Sequence, residues 1–191
     1  MATAATAPEP KLVRWHYLWW VAAALLMMTA AIASKNLWFL NFVHVLSGLL
    51  WTGIDLFMGF IVGPILRTLD LPVRRTVLLK LVPKTLFLMP TLSIITGTTG
   101  WFLAEYRGYM ALDWPEFGWV AAALALVTLM TIQGTGYLLP TNLRICFELQ
   151  KPDPDIVKIS AMMKRFFIAT ALQGTMQIMI IIIMARFVTG I

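Results

Sequence analysis

The sequence predicts an all-α integral membrane bundle of five transmembrane helices, a four-helix core preceded by one N-terminal helix, forming a single membrane domain over 1–191. Three observations predict it. Of 191 residues, 60% are hydrophobic, against roughly 45–50% in ordinary soluble domains. The apolar residues fall in long runs separated by short polar stretches, the pattern of spanning helices. The charged residues are few, 13% of the chain with a net charge of +6, and the bases gather at the ends of the apolar runs. That placement points to a membrane surface and away from nucleic acid, which needs a basic groove interleaved with exposed aromatics.

The spans fall at about 16–34, 37–62, 82–103, 117–139 and 166–188, each long enough to cross a ~30 Å hydrocarbon core with some tilt. The first begins with Trp15, Trp19 and Trp20 behind Lys11 and Arg14. Ala31-Ile32-Ala33 resembles a signal-peptidase site, but the stretch is longer than a signal core and rich in tryptophan at its start, so it reads as a retained helix. The second span, starting at Asn41, runs NFVHVLSGLLWTGIDLFMGFIVGPILR and carries the most polar groups. After it, residues 69–81 read LDLPVRRTVLLKL, with Asp70 as a cap, Pro72 early in a helix and bases alternating with leucines. This predicts a short amphipathic helix lying on the inner leaflet. The third span ends at an acidic outer loop with Glu105, Asp113 and Glu116. KPDPD at 151–155 breaks the chain after the fourth span, and Asp155 caps a helix that runs through Lys164 and Arg165 into the fifth.

Orientation follows from Lys and Arg. One side holds Lys11, Arg14, Arg67, Arg74, Arg75, Lys80, Lys84, Arg144, Lys151, Lys158, Lys164 and Arg165, and the other holds Lys35, Arg107 and Arg186. Such a bias puts the N-terminus and both large polar loops in the cytoplasm and the C-terminus outside. Trp38, Trp101, Tyr106, Tyr109, Trp114 and Trp119 then mark the outer boundary as interfacial anchors. Cys146, the single cysteine, has no partner for an internal disulfide and reads as an inert thiol.

Polar groups inside spans are costly and call for a reason. His44 and Asp55 stand eleven residues apart, about 20° from a common helix face and about 16 Å apart along the axis. Gly48, Trp51 and Gly59 share the stripe. Asp55 has a structural reading, pairing with a base, Lys84 at the inner end of the third span, or staying protonated against a polar neighbour, and a functional one, a proton-carrying carboxylate. His44 reads as an imidazole bonded between helices, or as an axial ligand to haem. His16 lies at the opposite depth and cannot share an iron with it, so bis-histidine ligation needs His44 from two subunits. Gln133, Thr135 and Tyr137 lie in the inner half of the fourth span, with Pro140 and Asn142 after them. Thr170, Gln173 and Gln177 share a face of the fifth. These groups read as interhelical hydrogen bonds or as a polar path for a substrate, with Gln133, Tyr137, Gln173 and Gln177 as its candidates. Gly59-x-x-x-Gly63 and Thr96-x-x-x-Gly100 permit close helix contact. Phosphate-loop, dinucleotide-binding, HExxH and GxSxG patterns are all absent from the sequence, so nucleotide hydrolysis and zinc proteolysis find no support.

The stretch His44-Val-Leu-Ser-Gly-Leu-Leu-Trp51-Thr-Gly53-Ile-Asp-Leu-Phe57, running on to Gly63-Pro64, resembles the histidine-bearing helix of a group of small bacterial membrane proteins. That group includes the CopD-type copper-resistance membrane domain and the membrane protoporphyrinogen oxidase. Pro90 followed by Thr96-Gly97-x-x-Gly100-Trp101 is similar to its second core helix. The resemblance covers 37–103 and extends to the last two spans in outline. It implies a four-helix core in the bacterial inner (plasma) membrane and b-type haem with His44 as metal ligand and Trp51 packed near the ring. The oxidase family also uses a lysine, and the fourth span here has none. The outer loops lack a Met-x-x-Met or histidine cluster for copper.

Three functions remain open at this point. One is a haem-binding membrane protein of redox type working with a quinone or a membrane redox partner. Another is a non-enzymatic scaffold or accessory subunit, in a homo-oligomer or recruiting partners through its basic loops. The third is a proton-coupled small-solute carrier using Asp55, Lys84, Gln173 and Gln177. The residue pattern does not decide whether the protein is an enzyme.

Overall fold

Each apolar run folds as helix, which satisfies its backbone amides and carbonyls within the segment. The computed structural model describes residues 15–190. Lys11 and Arg14, which the orientation argument counts, lie outside the described residues. Five helices are long and apolar enough to cross a membrane: Trp15–Ala33, Leu37–Thr68, Pro72–Tyr106, Phe117–Gln150 and Ile156–Thr189. No strand occurs among the described residues.

In chain order the elements are a 3-10 turn (Trp15–Tyr17), α1 (Leu18–Ala33), α2 (Leu37–Leu56), a π-helical segment (Phe57–Val62), α3 (Gly63–Thr68), α4 (Leu71–Tyr106), a 3-10 turn (Tyr109–Ala111), α5 (Phe117–Gln133), a second π-helical segment (Gly134–Leu138), α6 (Leu139–Gln150) and α7 (Ile156–Thr189). The second span is thus α2 and α3 joined through one π segment. The fourth is α5 and α6 joined through the other. Asn36 starts α2 by accepting from the Phe39 amide at 3.1 Å. Asp155 starts α7 by accepting from the Lys158 amide at 2.9 Å, as the sequence predicts.

The inner-leaflet helix expected over 69–81 is not a separate element. Those residues are the first turns of α4, a continuous helix of 36 residues, about 54 Å long at helical rise. Pro72 falls in its first turn, where the missing amide costs little. Asp70 holds the capping position without a side-chain cap bond. The leucine face expected against lipid is instead turned onto protein. Leu78 and Val82 pack with Leu66, Ile145, Leu149 and Phe167 in an apolar core at the basic end of the bundle. The bases beside them serve the turns. Arg74 donates to the carbonyls of Arg67 (2.9 Å) and Leu69 (3.1 Å), and Arg75 to that of Leu149 (3.3 Å). Both arginines therefore satisfy carbonyls that helix ends leave free.

α2 lies between α4 and α7, α7 packs on α5, and α6 closes onto α4 at the basic end. α4 and α5 scarcely touch. α1 packs on the outside of α2 and α4 and is mostly exposed. Gly59 and Gly63 explain the closeness of α7. A Cβ at 59 would stand 2.8 Å from Cα of Ala171, and one at 63 would stand 2.8 Å from the Phe167 ring. The small-residue spacing read from the sequence is thus a contact line. Six of the eight tryptophans, Trp15, Trp19, Trp38, Trp101, Trp114 and Trp119, are exposed near helix ends, and Trp51 alone is buried. Cys146 is buried in the basic-end core.

Candidate functional site

The stripe from His44 to Gly59 holds in the structure, but its two halves meet different neighbours. The half nearer the acidic loops faces α4. His44 Nδ1 lies 3.0 Å from the Thr96 carbonyl and 3.3 Å from Thr99 Oγ1. A Cβ on Gly100 would come within 2.8 Å of the ring at Cε1. Thr96 Oγ1 donates to Ser47 Oγ at 2.9 Å, and Ser47 donates in turn to the His44 carbonyl at 3.0 Å. The glycine of Thr96-x-x-x-Gly100 therefore makes room for the imidazole, which ties α2 to α4.

The other half faces α7. Asp55 Oδ2 accepts from Gln177 Nε2 at 3.0 Å, and the two residues are 4% and 1% exposed. This corrects the pairing with Lys84. That lysine is exposed, and both ion pairs among the described residues belong to Glu148 instead. A long cationic side chain near a helix end gains more from hydration than from reaching a buried carboxylate. One turn away on α7, Gln173 is 2% exposed. The side-chain oxygens of both glutamines, Oε1 of Gln173 and Oε1 of Gln177, are buried with no hydrogen-bond partner in the protein. Such atoms are rare in a fully satisfied core, and each needs an explanation.

A cavity of about 130 Å³ opens beside this cluster, in the half of the bundle nearer the basic end. Trp51, Asp55 and Gln173 line it together with Thr170 and Asn142. Both π segments border it, one beginning two residues after Asp55 and the other contributing Gly134 and Thr135 to the wall. Single-turn π segments recur at functional sites because they shift side chains off the regular helical register. Of the other polar-path candidates, Gln133 donates to the Ala169 carbonyl at 2.7 Å and ties α5 to α7. Tyr137 is 41% exposed and takes no part in the wall.

Glu148 carries no signal in the sequence as read above. It is 6% exposed and accepts from Lys151 at 2.8 Å and Lys158 at 3.0 Å, pinning the end of α6 to the start of α7. An acid placed three residues before one lysine and ten before another was the available hint.

His44 Nδ1 is taken up by the Thr96 carbonyl, and Gly100 packs on the ring at Cε1, while Nε2 has no hydrogen bond among the described residues. The cavity is not lined by His44, and it is smaller than the ~150 Å³ that accepts one benzene. Groups of three or more metal-ligating side chains are absent among the described residues. Comparison with family models, with curated proteins and with solved structures finds no match to this chain.

Proposed function

We propose that the chain is a multi-pass protein of the bacterial inner membrane, N-terminus cytoplasmic and C-terminus outside, that carries a small solute in exchange for a proton on Asp55. The carrying observation is the cluster of one carboxylate and two unpartnered glutamine oxygens, all buried, beside a cavity. A polar cluster that only holds helices together gains by satisfying its own members. This one leaves two acceptors idle, one of them on the wall residue Gln173, which supports a ligand site over a scaffold.

The chemistry is an exchange of charge partners. A carboxylate out of water needs a countercharge or a proton. Among the described residues no basic side chain supplies the first at Asp55, so before the solute binds the carboxyl group keeps a proton. A bound solute that stabilises the carboxylate releases that proton to water. The π segments, beside the cavity on both broken spans, are the places where the inner halves of those spans can shift. Asp55 and Gln173 are the binding residues, Gln177 positions Asp55, and Lys84 falls out of the mechanism.

The test uses purified protein in liposomes loaded with a pH-sensitive dye and challenged with cationic, neutral and anionic small solutes. At least one solute is expected to move protons across the wild-type membrane, and Asp55→Asn to abolish that movement. Equal movement in Asp55→Asn, or none in either for any solute, would end the carrier reading.

A further inference from the structure

We infer that the site takes a hydrophobic ammonium compound, and that this ligand enters sideways from the lipid through the gap between α4 and α5. The inference rests on the carrier reading above for its location and goes beyond it in ligand class and route.

The class follows from where the protons of the wall point. Five hydroxyls line the cavity, and each donates its proton to its own helix. Thr85 gives it to the Val82 carbonyl (3.1 Å), Ser93 to Pro90 (2.9 Å), Thr131 to Val127 (2.7 Å), Thr135 to Thr131 (2.7 Å) and Thr170 to Phe166 (3.0 Å). What they offer the cavity is lone pairs. Pro90 in the wall has no amide, so the Leu86 carbonyl loses its usual donor four residues on. Added to these is the Asp55 carboxyl group. The amide groups of Asn142 and Gln173 in the wall both donate and accept, and Lys and Arg are absent from its lining among the described residues. An anion meets the Asp55 carboxyl group and no basic side chain among the described residues. A cation with N–H groups meets a carboxylate, several lone pairs and the buried Trp51, whose aromatic ring adds cation–π attraction.

The route follows from what is closed. Toward the basic end the cavity meets the packed core of Leu78, Val82, Ile145, Met163 and Phe167, with only a void of about 20 Å³ between. Toward the other end Leu92, Met130 and Met176 pack around Trp51. The side between α4 and α5, which scarcely touch, remains. Its rim is exposed at Ile94 (52%), Thr131 and Thr135. A cavity of about 130 Å³ holds an ammonium head and its nearest carbons, and a longer apolar tail leaves through this gap into the surrounding acyl chains.

The experiment is calorimetric binding to the full chain in lipid nanodiscs, with octylammonium, octanol and octanoate as matched probes and sodium chloride as competitor. A diazirine placed in the octyl tail of the ammonium maps its position by photo-crosslinking. Octylammonium is expected to bind at least tenfold more tightly than either of the others, with adducts on α4 near Ile94 and on α5 near Thr131. Asp55→Asn is expected to erase the preference. Gln173→Leu, which breaks no hydrogen bond within the protein, is expected to weaken ammonium binding severalfold in a folded protein. Equal binding of octanol or octanoate, an unchanged preference in both variants, displacement by sodium at matched concentration, or adducts confined to the helix ends would each overturn the inference. The carrier reading fails separately. Proton movement driven by octanol or octanoate through Asp55 would keep the carrier and remove the cation. Tight ammonium binding without proton movement would do the reverse.

Discussion

Removing Asp55 and Gln177 one at a time and together measures the contact on which the site is built. Their bond is 3.0 Å long and both residues are under 5% exposed, so water screens it little. Interhelical hydrogen bonds in membrane proteins average about 0.6 kcal/mol in double-mutant cycles and reach about 1.7. A bond between two fully buried groups sits at the strong end, since no water competes for either partner. The coupling between Asp55→Ala and Gln177→Leu should therefore be about 1.5 kcal/mol, close to tenfold in the unfolding equilibrium constant. Detergent-driven unfolding in mixed micelles, followed by circular dichroism, measures it. A second cycle pairs Asp55→Ala with Lys84→Met. Lys84 is exposed and makes no ion pair among the described residues, so these two should add to within about 0.5 kcal/mol. Coupling to Lys84 with none to Gln177 would refute the placement of α7 against α2 and restore the ion pair expected from the sequence.

Other outcomes follow from single contacts. Gly59→Ala puts a methyl 2.8 Å from the Ala171 backbone and should cost about 1–3 kcal/mol. Gly53→Ala, with open space around it, should be neutral or stabilising by about 0.5–1 kcal/mol; equal losses in the same unfolding assay would contradict the packing. Gly100→Ala should destabilise, and His44→Ala should relieve that loss, since the added methyl collides with the imidazole; a full loss persisting in the double variant would argue against the contact. Glu148→Gln should lower stability more in low salt than in high salt, because the two lysines it holds are about half exposed; a loss independent of salt would mean the acid acts by packing alone. Protein produced with haem supplied should show no Soret band that depends on His44, and one abolished by His44→Ala would overturn the packing role given to this histidine.

The helices were legible because length and hydropathy are local properties. The spans at 37–62, 117–139 and 166–188 lie within helices at Leu37–Thr68, Phe117–Gln150 and Ile156–Thr189. What was misread is where the polar ends go. Residues 69–81 have the composition of a surface helix, but Leu78 has a partner surface supplied by α6 and α7, far away in sequence. The same limit applies at the site. The periodicity put His44, Trp51 and Asp55 on one stripe, and Thr170, Gln173 and Gln177 on another, and all six lie where those stripes meet neighbours. Sequence spacing along one helix does not say which neighbour it meets, so charge, depth and side-chain reach point Asp55 to Lys84. The cavity and the idle oxygens of Gln173 and Gln177 exist only between helices and had no signal in one dimension.

The central claim is that Asp55 gives up a proton when its ligand arrives. Infrared difference spectroscopy of the protein in lipid, with and without octylammonium, observes that carboxyl group directly. The account predicts that binding removes a protonated-carboxyl band and adds a carboxylate band, and that neither change occurs in Asp55→Asn. An unchanged carboxyl region in the wild type, or the same change in Asp55→Asn, would contradict it.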